Sequence, residues 1–335
     1  VIEASIGRIA AGEDLTQAEM ADVLDRVFAG QCSAQEIAVF LTGLTMKGET
    51  FAEIAGAAQS LRRHMTPIRS HREGVLDTCG TGGDASGTFN ISTAAAIVIA
   101  AAGVPVAKHG NRRATSTSGS ADVLAALGVN VEASIERVEQ CLEDLGLCFC
   151  FAPLFHGAMK QVAQVRRQLG LPTIFNLLGP LSNPAGAQHQ LLGVGRPDRR
   201  HQIAQALALL GTKHSLVVTG EDGLDEVTLA TVTDVIAVNG TSREFRWQPE
   251  DFGIQRAALD ALRIDGPIAS AALIDGILRG ESGPARDIVL LNAAAGLMTV
   301  GKTDSPADGA AMAAEAIDSG RARQLLAQLV ALTNR

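Results

Sequence analysis

From about residue 74 onward, short apolar runs alternate with helical patterns, and this alternation constrains the fold more than any other feature. Val75–Cys79, Val104–Ala107, Leu147–Phe151, Gln190–Gly193, Ser215–Thr219 and Val235–Val238 read as buried strands. Ser92–Ala102, Ser120–Leu127, Ile135–Leu145 and His201–Leu210 read as helices, with several more after Asp265. Strands separated by helices make a mostly parallel central sheet covered by helices. The first 65 residues differ, because they read as helices only. Thr16-x-x-Glu19, Ser33-x-x-Glu36 and Thr50-x-x-Glu53 are three capping boxes, and Gly30 and Gly48 are candidate helix stops. Behind the boxes, Met20, Val23, Leu24, Val27 and Phe28, then Ile37, Phe40, Leu41 and Leu44, recur at helical spacing. Such short helices need a later segment or a second subunit to cover them, and the helix and loop of His156–Pro184 could rejoin them. The expected fold is α/β, a small all-helical domain plus a larger α/β domain.

Net charge narrows the function. With 28 Lys and Arg against 36 Asp and Glu the chain carries −8, which argues against a nucleic-acid binder. Apolar runs such as Ala94–Ala102 are too short to span a bilayer, so no membrane partner is expected. No basic leader with a cleavage site precedes the first helix, and the five cysteines show no CxxC spacing. A cytoplasmic enzyme with free thiols is the expectation.

Five segments carry candidate chemistry. Asp77-Thr-Cys-Gly80-Thr-Gly-Gly-Asp84 follows a strand, and its glycines let backbone amides approach an anion. It fits the loose dinucleotide pattern Gly80-x-Gly82-x-x-Ala85, but that reading needs an acidic residue about 20 positions on. The next strand ends instead in Lys108-His-Gly110, so the dinucleotide reading fails. Thr88-Phe-Asn90-Ile-Ser92-Thr93 opens a helix, with Ser92 or Thr93 as cap, where amides and dipole favour phosphate. Taken alone, it reads first as an ordinary Ser/Thr cap. Lys108 through Ser120 brings cations, an asparagine and hydroxyls to a strand end, a structured anion cradle. Glu221-Asp-Gly-Leu-Asp225-Glu226 is by itself an ordinary acidic turn, but beside anion-binding loops it suits magnesium bridging to phosphates. Finally, Phe155–Arg167 reads as a helix on which Lys160 and Arg167 share a face while Arg166, turned by about 100°, could meet a carboxylate.

Gly80-Thr-Gly-Gly-Asp84, Phe89-Asn-Ile-Ser-Thr93, Lys108-His-Gly-Asn-Arg112, Gly119-Ser-Ala-Asp122, Arg166, Thr173-Ile-Phe-Asn-Leu-Leu-Gly-Pro180 and Gly223-Leu-Asp-Glu226 resemble the anthranilate phosphoribosyltransferase family. The likeness extends to Gly12-Glu-Asp-Leu-Thr16 and Met46-Lys-Gly-Glu-Thr50, and so spans the chain in the family's order. The resemblance implies transfer of the phosphoribosyl group of 5-phosphoribosyl 1-pyrophosphate to the amino group of anthranilate, a Mg2+-dependent step from chorismate toward tryptophan. By that likeness Gly80, Gly83, Asp84, Thr88, Asn90, Ile91, Ser92 and Thr93 hold phosphoribosyl pyrophosphate. Lys108, His109, Gly110, Asn111, Arg112, Arg113, Ala114, Thr115, Ser116 and Ser120 complete that site. Gly80, Asn111 and Arg166 contact anthranilate, with His109, His156 and Pro180 along its path. Ser92 with Glu226, and Asp225 with Glu226, hold two Mg2+ ions, and no residue is assigned as general base. The implied division is a small helical domain of residues 1–66 and about 160–186, which dimerises, and a large domain of 67–159 and 187–335.

Some positions depart from the family's usual pattern. His156-Gly157 replaces a common His-Pro, and Arg113-Ala-Thr115 stands where Ser-Val-Ser is frequent. Thr117 occupies a position that often carries lysine. A pyrimidine nucleoside phosphorylase is the nearest rival, but Gly-Asn-Arg after Lys108-His109 and the Asp225-Glu226 pair disfavour it. A non-catalytic nucleic-acid-binding relative of the same fold meets the negative charge as its obstacle.

Overall fold

The computed structural model describes residues 2–82, 84, 86–112 and 118–335. Four helices open the chain: α1 (Ile2–Ala10), α2 (Gln17–Phe28), α3 (Ala34–Lys47) and α4 (Phe51–His64). All three capping boxes form, each hydroxyl accepting from the glutamate's amide while that carboxylate accepts from the cap amide. α1 has no such start signal; it buries Ile2 and Ile9 and packs on α3.

The chain continues through β1 (Leu76–Gly80), α5 (Ile91–Ala101), β2 (Val106–Gly110), α6 (Ser120–Ala126), α7 (Ile135–Leu145) and β3 (Leu147–Phe151). A helical excursion of α8 (Ala152–Phe155), α9 (Lys160–Leu169) and α10 (Phe175–Leu178) precedes β4 (His189–Gly193). Then come α11 (Arg200–Leu209), β5 (His214–Gly220), β6 (Thr233–Val238) and β7 (Ser242–Trp247). Four helices close the chain: α12 (Gly266–Leu278), α13 (Pro284–Thr299), α14 (Pro306–Asp318) and α15 (Arg321–Thr333).

The sheet order is β3-β2-β1-β4-β5-β6-β7. Strands β3 through β5 run parallel, and β6 and β7 are antiparallel additions. One face packs on α5, α13 and their neighbours in a continuous apolar core. The other face carries Leu192, Val217 and Ile236 onto α11, and the same core includes α2, α3 and α4 together with Val162, Val165 and Phe175. Helices on both faces account for the nearly unbroken apolar strands. Glu49, between α3 and α4, ties the opening helices to the sheet: its carboxylate lies 2.9 Å from Arg199, and its carbonyl accepts from Gln202 Nε2 at 3.0 Å.

Three local readings are corrected. β7 escapes a search for apolar runs because it is an exposed edge strand, Ser-Arg-Glu-Phe-Arg-Trp, with only Trp247 buried. The segment from Phe155 is not one helix: α8 and a 3-10 turn over Gly157–Met159 come before α9. The cap of α5 is Asn90, so Ser92 and Thr93 sit in its first turn. All five cysteines are free, and no helix among the described residues is long and apolar enough to cross a membrane.

Candidate active site

The chain winds from β1 through β2 to β3 on one side, then crosses back to β4 on the other side of β1, so the winding reverses between β1 and β4. Ligands of open α/β sheets bind at such a switch point, outside the carboxyl ends of the strands. Gly80 and Gly193 are register partners at those ends. A Cβ on Gly193 would run into the Asp225 carbonyl, and one on Gly80 into the Asp225 carboxylate. The two glycines leave the slot in which the acidic loop after β5 is seated. A cavity of about 560 Å³ opens there, lined among others by Gly80, Asp84, Thr88, Asn90, Ile91, Ser92, Thr93, Lys108, His109, Gly110, Asn111, Arg112, Ser120, Asp225 and Glu226.

Contacts across the chain hold these groups. Asn90 Nδ2 donates to Ser118 O at 3.1 Å, joining the two anion loops. Asn90 is itself fixed by Ser270 of α12, which accepts from the Asn90 amide at 3.1 Å and donates to Oδ1 at 2.9 Å. Lys108 Nζ donates to Thr78 O at 2.6 Å and Ser92 Oγ at 3.1 Å. Burial lowers the Lys108 pKa, opposed by the buried Asp77 carboxylate nearby. Arg112 lines the cavity while pairing outward with Glu132 at 2.8 Å.

The acidic pair closes the cavity. Asp225 Oδ2 accepts from the Gly82 amide at 2.9 Å, and Glu226 Oε1 from the Ser92 amide at 3.1 Å, at the positive end of α5. Burial, then the Asp84 carboxylate, push Asp225 up to about 7; burial, then Asp225, push Glu226 up to about 8. Crowded carboxylates of this kind are relieved by a proton or a cation. Their all-oxygen chemistry fits Mg2+, which typically takes one or two protein carboxylates and completes its shell with water and phosphate oxygens. Among the described residues no group of three or more His, Cys, Asp or Glu forms a ready-made metal cage.

At one side of the cavity His109 Nδ1 lies 3.0 Å from Gly179 O. A carbonyl only accepts, so Nδ1 carries the proton, and His109 Nε2 accepts from His156 Nε2 at 3.1 Å. Pro180, next to Gly179, accepts from Gln190 Nε2 at 2.5 Å. Burial lowers His109 from 6.5 to about 4 and His156 to about 3. Below pH 6.5 the unfolded chain takes up protons that the folded pair refuses. Each histidine contributes roughly 3 kcal/mol, which is present above pH 6.5 and is lost as pH falls toward 4. Thermal unfolding of His156→Asn should therefore depend less on pH across that window than the parent does. Parallel curves would refute a neutral histidine pair.

Arg166, His156 and Pro180 do not line this cavity. The Arg166 guanidinium is half-buried over the Phe175 ring, 5.5 Å from its centroid, and donates to Asn176 Oδ1 at 3.3 Å. Burial lowers its pKa, and no carboxylate among the described residues lies within ion-pair distance. Lys160 and Arg167 are exposed. Asn176 lines a second cavity, of about 440 Å³, that shares Thr81 and Gly82 with the first. Gly83, Arg113, Ala114, Thr115 and Ser116, and the departure at Thr117, lie outside the described residues. Sequence reasoning missed Thr81, Gly82 and Ser118 as lining groups, although each sits inside a motif already singled out, and it missed Ser86, which falls between two of them. It also missed Ser270 and the buried Asn292 of α13. Asn292 had a signal, as the lone amide in the apolar run Ile288–Leu297.

Residues 72–323 match the glycosyl transferase family a/b domain, and residues 4–65 its helical bundle domain. The anthranilate phosphoribosyltransferase of Geotalea uraniireducens is 47% identical, with 100% of each chain covered. The crystal structure of anthranilate phosphoribosyltransferase from Thermus thermophilus superposes with a TM-score of 0.92 at 45% identity, covering 99% of both chains. The Saccharomyces cerevisiae enzyme in complex with PRPP and Mg gives 0.91 at 29% identity, covering 99% of this chain and 98% of that one. The yeast enzyme has also been solved in complex with 4-fluoroanthranilate.

Proposed function

Because the chain belongs to the anthranilate phosphoribosyltransferase family, we infer that it transfers the phosphoribosyl group of phosphoribosyl pyrophosphate to the amino group of anthranilate. The observation that carries this reading is the convergence of the glycine loop, the start of α5, Lys108 and the Asp225-Glu226 pair on one switch-point cavity. A phosphorylase using inorganic phosphate has no comparable use for the acidic pair.

In the reaction the anthranilate nitrogen forms a bond to the ribose C1, the C1–oxygen bond to pyrophosphate breaks, and the new amine sheds its proton. Anthranilate's amine is weakly basic and enters neutral, so attack needs no general base. Lys108, the α5 amides and the Asn90 side chain hold the leaving group and the ribose; by the family resemblance Gly83, Arg113, Ala114, Thr115 and Ser116 also bind phosphoribosyl pyrophosphate. Mg2+, as two ions held by Ser92, Asp225 and Glu226, supplies positive charge to the departing pyrophosphate. Gly80 and Asn111 flank the acceptor, and His109, His156 and Pro180 border its path. Catalysis is then positioning and preorganised charge, with water kept out by closure of residues 1–66 and 160–186 over the rest. The exposed Val39 and Met46, seven apart on α3, are the surface on which we place a homodimer, and a light-scattering mass of one chain would rule that out. The setting of such a biosynthetic step is the cytoplasm.

Anthranilate fluorescence tests the function. It should decay only with enzyme, phosphoribosyl pyrophosphate and Mg2+ together, with stoichiometric pyrophosphate release. No decay from folded protein, with turnover of thymidine or uridine plus phosphate, would favour the phosphorylase. Arg166, half-buried without a counter-charge, is the partner of the anthranilate carboxylate. Arg166→Ala should raise KM for anthranilate by about 30-fold and leave that for phosphoribosyl pyrophosphate within about twofold, as expected when one charge-assisted contact is lost. Equal loss for both substrates would undo this division of roles.

A further inference from the structure

The carboxylates of Asp225 and Glu226 reach the cavity from the loop between β5 and β6, so their aim depends on what fixes that loop. Upstream, Asp222 Oδ1 accepts from the Leu224 amide at 3.1 Å, and its other oxygen accepts from Thr228 Oγ1 at 2.5 Å. Both contacts stay within the loop. On the backbone of the residue that follows Glu226, the anchor is Asn292, in the middle of α13 and fully buried. Its Oδ1 accepts from the Val227 amide at 2.9 Å, while Nδ2 donates to Val227 O at 3.0 Å and to Ile288 O at 2.9 Å. One side chain thus takes both backbone groups of the residue after Glu226, as a neighbouring strand would. Around it α13 is apolar, with Val289, Leu290, Leu291, Ala293 and Ala294 all buried. A lone amide in such a core costs stability unless its bonds are made, and here both of its polar atoms bond the Val227 backbone.

We propose that Asn292 is a positioning residue for the reaction: it sets the register of the Asp225-Glu226 loop against the strand ends, and through it the geometry at which the two carboxylates meet a divalent cation. On the opposite side the slot is rigid, because the Asp225 backbone fills the space left by Gly193. With Val227 clamped from α13 and Asp225 seated on β4, Glu226 is held between two fixed points one residue to either side. Loss of the clamp frees one of them. This inference rests on reading Asp225 and Glu226 as metal ligands, and the experiment separates the two ideas.

Mn2+ binding, followed by the electron paramagnetic resonance of the free ion in the presence of phosphoribosyl pyrophosphate, is measured for the parent and Asn292→Ala, alongside steady-state kinetics. Partners that orient metal ligands typically matter by 10- to 100-fold, so Asn292→Ala should weaken Mn2+ binding by about 10-fold or more. The Mg2+ concentration for half-maximal rate should rise by a similar factor, while KM for anthranilate stays within about twofold. If Asn292→Ala does not fold, Asn292→Ser, which keeps one hydroxyl in the slot, is measured in the same way. Mn2+ binding by the parent that is unchanged in the folded variant would overturn the positioning role. So would a uniform fall in activity that tracks the folded fraction, with Mg2+ dependence and both KM values unaltered. Protein-dependent Mn2+ binding absent even from the parent would overturn the metal-ligand reading itself.

Discussion

Replacing Asp225 with Asn and Glu226 with Gln together should lower turnover by about a thousandfold, the scale on which preorganised transition-state charge acts. The same double variant should make the metal-free protein more stable at neutral and alkaline pH. These opposite signs come from one arrangement. Burial, with the Asp84 carboxylate beside Asp225 and Asp225 beside Glu226, pushes Asp225 up to about 7 and Glu226 up to about 8, so the folded chain keeps protons that the unfolded chain releases near pH 4. Acids raised in this way favour folding below their unfolded pKa, and that advantage is lost as pH rises through the folded values. Amides resemble the neutral acids, so they should spare the protein roughly 4 kcal/mol per carboxyl at pH 8 and almost nothing at pH 4. Thermal unfolding of both proteins in chelator, from pH 4 to 8, reads the stability difference, and the fluorescence assay with a Mg2+ titration reads turnover. A variant that keeps its Mg2+ requirement and loses less than about tenfold in rate would remove the pair from the reaction.

The physical origin of each signal decides how legible it was. Capping boxes lie within four residues, and all three formed where the sequence placed them. Buried parallel strands announce themselves as apolar runs, and Leu147–Phe151 and Ile135–Leu145 kept their bounds. β7 did not, because an edge strand needs no buried face. At the cavity, the motifs were visible but their registration was not. The run Asn90-Ile-Ser-Thr93 offered several cap residues, and Asn90 was selected by Ser270, 180 positions away. Gly80 read as a glycine that lets backbone amides approach an anion, yet what it accommodates is Asp225, far along the chain. Local rules thus located the groups, while long-range contacts decided their aim.

Glu53→Ala should be the most damaging single change among the opening helices, at about 3–5 kcal/mol, the cost of breaking a buried ion pair from one side. Glu53 has no exposed surface. One oxygen accepts from the Leu15 amide at 3.0 Å; the other accepts from the Thr50 amide at 2.8 Å, Thr50 Oγ1 at 3.1 Å and Lys47 Nζ at 3.0 Å. Its removal therefore leaves the buried Leu15 amide and the half-buried Thr50 amide without an acceptor and breaks half of the α4 capping box, and Lys47, itself barely exposed, retains Asp14 as counter-charge. Glu53→Gln retains an acceptor and fills the space, so about half the loss should return, which separates charge from packing. The consequence reaches the cavity by a short path. Glu49, four residues earlier on the same connection, bonds Arg199 and Gln202 across to the sheet. A loosened Thr50–Glu53 turn loosens the tether on which the proposed closure of the helical segment would depend. Below its melting temperature, Glu53→Ala should keep KM for phosphoribosyl pyrophosphate while hydrolysing more of it without transfer, since an imperfect closure admits water. An unchanged ratio of hydrolysis to transfer, beside the expected fall in melting temperature, would confine Glu53 to holding the helices together.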